Sequence, residues 1–198
     1  MRGVCCILLL SLLVACTFTP RDTGTAFMFA LQPINITQQG KMQESLVVFM
    51  PTTSPELDTY RIALNKGGEQ WDYYAGARWS DFLPAVVQDN VTKTLDQTGL
   101  FKAVANGDAG LTGDKILKTE IRAFQVDYAS GSTAPVIKIR MIVSLVSRLD
   151  RKPLTSFTLE AEKKASGNTL SAIQTAFTSA FSDTERQLVE KLVGAAGQ

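Results

Sequence analysis

At 198 residues, 45% of them hydrophobic, the chain is long enough to build one domain around a sizeable core. Its 20 basic and 19 acidic side chains nearly cancel and form no basic block, which excludes the clustered Lys and Arg that nucleic-acid binding requires. Histidine is absent, and with it Ser-His-Asp and Cys-His catalysis and imidazole metal ligation.

The first predicted element is a targeting segment. The apolar run from Val4 to Val14 is 11 residues, too short for a bilayer span of about 20 but suited to the apolar region of a signal peptide. It closes on Leu13-Val14-Ala15-Cys16, which reads as a lipobox: a small residue before a thiol able to take a thioether-linked diacylglycerol. Residues 1–15 are therefore expected to be removed and Cys16 to be the lipid-attachment site, with a plain secretory signal containing Cys5 and Cys6 as the competing reading. Cleavage removes Arg2 and no acid, leaving 19 basic and 19 acidic groups and a single cysteine. No intrachain disulfide is then possible, so the fold rests on its core, and the acylated thiol is no nucleophile. Thr17 follows Cys16 where an Asp is a common inner-membrane retention signal, so an outer-membrane location facing the periplasm is expected. Residues 16–24 read as a tether, with Pro20 and Gly24 and no apolar period.

The domain is expected over residues 25–198. Phe27 to Leu31 and Leu46 to Met50 are short apolar runs that suit buried strands, joined by a polar connection from Asn35 to Glu44. Tyr60 to Asn65, Gly67-Gly68 and Trp71-Asp72-Tyr73-Tyr74 predict a hairpin. From Ser80 to Thr98 the period changes to about 3.6 and gathers Leu83, Val86, Val87, Asn90, Val91, Thr94 and Leu95 on one face. Ser80 is the expected N-cap, Asp81 the complement to the helix dipole, Pro84 a first-turn residue and Gly99 the left-handed stop. Phe101 to Val104 is a predicted strand, and Asn106 to Gly110 a loop whose Asp108 and Asp114 do not match calcium-loop spacing.

Lys115 to Tyr128 places Leu117, Thr119, Ile121 and Ala123 on one face and then Phe124, Val126 and Tyr128 on the other parity, which a bulge near Ala123-Phe124 reconciles. Val136 to Arg148 sends Ile137, Ile139, Met141, Val143 and Leu145 inward and Lys138, Arg140, Ser144 and Arg148 outward. After a turn at Asp150 to Pro153, Phe157, Leu159 and Ala161 alternate with outward residues that include Glu160 and Glu162, so the two outer faces have opposite charges that can pair. A long helix capped by Asn168 follows, with Leu170, Ile173, Phe177, Phe181, Thr184, Leu188 and Leu192 on its inner stripe. The expected architecture is a single α+β domain: an antiparallel-rich mixed sheet with two main amphipathic helices packed on it.

The segment Trp71 to Trp79 and the helix after it resemble the ABC-transport auxiliary lipoproteins, the family of the paraquat-inducible lipoprotein PqiC. The resembling elements are Val48-Phe49-Met50-Pro51, Arg61-Ile62-Ala63-Leu64, Tyr73-Tyr74, Arg78-Trp79, the helix, the later strand with Ile121 and Phe124, and the closing helix. The resemblance implies a periplasmic lipoprotein serving a transport system built on an ABC transporter and an MCE-domain protein, moving phospholipid or other apolar solutes between two membranes. Since no G-x-x-x-x-G-K-[ST] occurs, this chain is expected to dock or complete the channel, as a homo-oligomeric ring matching its partner's symmetry. No catalytic activity, cofactor or metal is expected.

Tyr73, Tyr74 and Arg78 are the candidate partner interface, since aromatics and Arg dominate interface energetics, and alternation is expected to leave one of the two tyrosines exposed. Trp79, Phe177 and Phe181 read as core. Asp127, Glu160 and Glu162 form no convincing catalytic pair, and Asn35-Ile36-Thr37 and Asn90-Val91-Thr92 read as chance glycosylation matches. A structural envelope lipoprotein with no transport role is the alternative function.

Overall fold

The computed structural model describes residues 26–36, 41–67, 70–107, 112–129 and 134–196; the signal segment, Cys16, the tether and Asp108 lie outside the described residues. One strand organises the sheet. β7 (Lys115–Tyr128) pairs along one edge with β8 (Val136–Ser147), which pairs in turn with β9 (Pro153–Lys164), both antiparallel. Along its other edge β7 receives three strands in succession, all parallel to it: β2 (Ser45–Val48), β3 (Thr52–Thr53) and β4 (Arg61–Lys66). β6 (Ala103–Asn106) extends the sheet beyond β2, and β5 (Gln70–Trp79) and then β1 (Phe27–Phe29) extend it beyond β4. The sheet is mixed, with long antiparallel ladders and short parallel ones, and two helices complete the α+β domain.

The ladders follow from alternation. Leu117, Thr119 and Ile121 are buried, the register shifts between Ile121 and Ala123, and burial resumes on Phe124 and Val126, as the change of parity predicts. On β8, Ile137, Ile139, Met141, Val143 and Leu145 are each at most 2% exposed. Outward, Arg140 meets Glu160 at 2.8 Å, and Lys138 lies 2.8 Å from Asp127 and 3.9 Å from Glu162. Phe27, Met28, Phe49 and Met50, read as parts of buried strands, are exposed: Phe49 and Met50 lie beyond the end of β2 at Val48, and within β1 only Phe29 is buried.

Helix α1 (Leu83–Thr98) buries all seven predicted face residues, and α2 (Leu170–Ala196) buries its stripe from Ile173 to Leu192, so both helices join one core with the sheet. Gly99 ends α1 at φ 63°, its N–H bonding to the Asp96 carbonyl. Three boundaries need correction. Phe82, not Ser80, occupies the N-cap of α1, without a side-chain cap, and Asp81 lies outside the first turn, because Pro84 fixes the first turn one residue beyond Leu83. Thr169, not Asn168, caps α2: its Oγ1 accepts the Ala172 N–H at 3.2 Å and its carbonyl accepts that of Ile173 at 3.0 Å. The strand expected at Phe101 to Val104 runs instead over β6, since Phe101, 6% exposed, is drawn into the core.

Candidate interaction site: the aromatic hairpin

The hairpin of β4 and β5 carries the aromatic cluster and departs furthest from regular pairing. Ala63 to Lys66 pair with Tyr73 to Gln70, and Arg61 pairs with Arg78, so Ile62 alone stands opposite the four residues Tyr74 to Ala77. This excess length bulges β5. Gly76 absorbs the bend at φ 69°, a left-handed conformation that costs glycine no Cβ clash. Beyond the bulge Trp79 turns inward, 1% exposed, with its ring 5.7 Å from Phe29, 5.6 Å from Phe124 and 5.1 Å from Phe177, each edge-on. It fastens β5 to β1, β7 and α2.

Tyr73 and Tyr74 are both half-buried, so neither is the freely exposed partner that alternation predicts. Their hydroxyls explain it. Tyr73 donates to the Glu56 carbonyl at 3.0 Å, and the Arg61 guanidinium lies 4.0 Å above its ring. The Tyr74 hydroxyl meets that of Tyr128, which bonds to Asn168, so a relay joins β5, β7 and the approach to α2. Burial first, and then the Tyr128 contact, push the Tyr74 phenol well above its ordinary range and keep it neutral. Near the tip, the Asp72 carboxylate accepts the Tyr73 N–H at 2.7 Å and pairs with Lys66 at 3.1 Å, which hold its pKa below the usual value. Trp71 is 42% exposed. Arg78 is exposed and has no ion pair among the described residues. On the outer edge of β5, β1 reaches only Ala77 to Trp79, so Gln70 to Gly76 carry no further strand among the described residues.

This arrangement presents an open sheet edge and exposed side chains rather than an enclosed pocket. Among the described residues no group of three His, Cys, Asp or Glu side chains is placed to hold a metal ion, and Asp127, Glu160 and Glu162 are each committed to the ion pairs above. The amide of Asn90, 5% exposed, donates to the Val86 carbonyl and is inaccessible to a glycan transferase; Thr37 of the other match lies outside the described residues. No described helix is long and apolar enough to cross a membrane.

Sequence reasoning missed Arg61, Tyr128, Asn168 and Glu185. The first three become visible only once pairing register brings distant strands together. Glu185 had a signal: it sits four residues after Phe181 on a buried stripe, where a carboxyl is out of place.

A family model described as ABC-type transport auxiliary lipoprotein component matches residues 29–189. Among solved structures, protein XCC0632 from Xanthomonas campestris, described under the family-model DUF330, superposes with a TM-score of 0.77 at 22% identity, covering 88% of this chain and 98% of that one. The hypothetical protein CT253 from Chlamydia trachomatis gives a TM-score of 0.52 at 10% identity, over 78% of this chain and 98% of its own. At these identities the likeness shows the fold alone. No curated protein matches the chain.

Proposed function

Since the chain belongs to the family of ABC-type transport auxiliary lipoproteins, we propose that it is a lipid-anchored, non-enzymatic docking component of an intermembrane transport system. The family match over residues 29–189 carries this reading. In it, Cys16 bears the lipid, the outer membrane holds the anchor, and the domain faces the periplasm. An MCE-domain protein of an ABC system is the partner, and phospholipid or another apolar solute is the cargo. Contact is made by the open edge of β5: seven consecutive residues with unpaired backbone on one side, carrying Trp71, Tyr73 and Tyr74, can receive an added strand from the partner or from a second copy. Several copies in a ring match a multimeric channel better than one.

Because both tyrosine hydroxyls are engaged, the accessible aromatic on the open edge of β5 is Trp71. Two measurements test the reading. Mass spectrometry of the mature N-terminal peptide is expected to find diacylglycerol on Cys16, and an unmodified Cys16 removes the anchor. Copurification from membranes is expected to recover an MCE-domain protein with the wild-type chain, and less of it with Trp71→Ala at unchanged melting temperature. Full recovery with Trp71→Ala removes the hairpin from the interface.

A further inference from the structure

Arg61 and Arg78 are direct partners across the antiparallel pair of β4 and β5, so their side chains leave the same face of the sheet side by side. Like charges in that position repel. Neither arginine forms an ion pair among the described residues, and both are exposed. The acid that feels Arg61, Asp72, is already paired with Lys66 at 3.1 Å and receives only its weakest influence from Arg61. Arg61 is also held in place: its guanidinium lies 4.0 Å over the Tyr73 ring, whose hydroxyl is fastened to Glu56. The row continues onto β1, where Met28, 49% exposed, is the register partner of Arg78. Two unpaired guanidiniums, one of them pre-positioned, next to an exposed apolar side chain form the chemistry that recognises an anionic oxygen cluster attached to something apolar.

Met28 is 12 residues after Cys16, a separation of at most about 43 Å of extended chain. A membrane surface holding Cys16 is within reach of both arginines.

We propose that Arg61 and Arg78 form a phosphoryl-binding site, with the phosphodiester of a membrane phospholipid headgroup as its ligand and Met28 against the lipid's apolar part. The site is distinct from the β5 edge, and the location of its ligand beside the anchor rests on the lipoprotein reading. Each guanidinium offers a planar fork to two phosphoryl oxygens, and the bound anion relieves the repulsion between them.

The test is thermal melting of the full chain in non-ionic detergent, with chloride at matched ionic strength as the reference. The probes are inorganic phosphate and detergent micelles doped with phosphatidylglycerol. The expected result is a rise of roughly 2–4 °C at saturating anion. The rise is lost in Arg78→Gln, which leaves the Arg61–Tyr73 stack intact, and in the Arg61→Gln/Arg78→Gln double variant. In reference buffer Arg78→Gln melts at or above the wild-type temperature, because a repulsive pair is gone; a merely structural arginine gives the opposite sign. A response to inorganic phosphate equal to that to phosphatidylglycerol supports the phosphoryl chemistry and assigns it to the free anion; a response to the lipid alone assigns it to the headgroup. No rise with either probe, or an undiminished rise in both variants, overturns the proposal. None of these melts requires a lipid on Cys16, so their failure leaves the anchoring reading standing.

Discussion

Glu185 is 1% exposed between α1 and α2, where the Thr94 hydroxyl donates to its Oε1 while Oε2 has no partner among the described residues. Thr94 in turn accepts the Ile34 N–H at 3.2 Å, so the carboxyl ends a chain that pins the segment after β1 to both helices. Burial pushes its pKa up from 4.5 to about 8, against the lowering effects of Thr94, the Ile34 N–H and Arg186. Below pH about 4.5 the folded and unfolded chains both hold the proton. Between 4.5 and 8 the unfolded chain releases it and the folded chain keeps it, so stability falls as pH rises, by about 1.4 kcal/mol per unit at most, and levels off above 8. Glu185→Gln is expected to remove this component and to melt above the wild type at pH 8. Melting curves of the two proteins at pH 5 to 8 check it; parallel pH profiles contradict the assignment. Single residues of this kind were only partly legible in the sequence. The inner stripe of α2 was plain although Glu185 was not placed on it, whereas the Arg61–Arg78 pairing depends on a register set by a bulge that no local pattern announces.

At the scale of elements, the three-strand ladder of β7, β8 and β9 carries the core, and its alternation was the most legible part of the chain. Parity placed a bulge near Ala123-Phe124, because a change of face within one strand needs an extra residue, and the register shifts just before it, between Ile121 and Ala123. Leu117→Asp or Val143→Asp places an unpaired carboxylate at a site 0% or 1% exposed, a cost of several kcal/mol against a total stability of about 5 to 15, and is expected to abolish folding. Lys138→Ala loses a half-buried ion pair with Asp127 and is expected to cost about 1 kcal/mol. Chemical denaturation checks both; a cooperatively melting Val143→Asp protein contradicts the register. The short parallel strands were less legible, because β2, β3 and β4 find their places only along the edge of β7, far away in sequence. Helix ends were misjudged for a local reason: Ser80 and Asn168 are good capping residues, but Pro84 and Thr169 decide where each first turn begins. At the free edge of β9, the Gln187 amide accepts the Glu160 N–H at 3.2 Å and donates to its carbonyl at 2.8 Å, occupying part of an edge that otherwise invites another strand.

The whole molecule presents two different ends along a sheet about 45 Å long. The β4–β5 tip adjoins the C-terminal end of β7, where Lys66 pairs with Tyr128, and the turn between β8 and β9 lies at the other, where Lys115 pairs with Ser147. β1 runs antiparallel to β7, so its first residue, Phe27, lies nearer the hairpin end than Phe29. Composition and periodicity indicated a single α+β domain, and the resemblance around Trp71 to Trp79 indicated its family. Which aromatic remains accessible was beyond the sequence, because the hydroxyl partners of Tyr73 and Tyr74 are 17 and 54 residues away. The central claim, that the hairpin edge is the surface through which this accessory meets its transport partner or another copy, is tested most directly by site-specific photo-crosslinking of the full chain in cells. A photoreactive phenylalanine derivative replaces Trp71 and, in a second protein, Leu149, which is 97% exposed in the opposite turn. Crosslinks from position 71 to an MCE-domain protein or to a second copy, and none from position 149, are the predicted result. Crosslinks to that partner from position 149, with none from position 71, would contradict it.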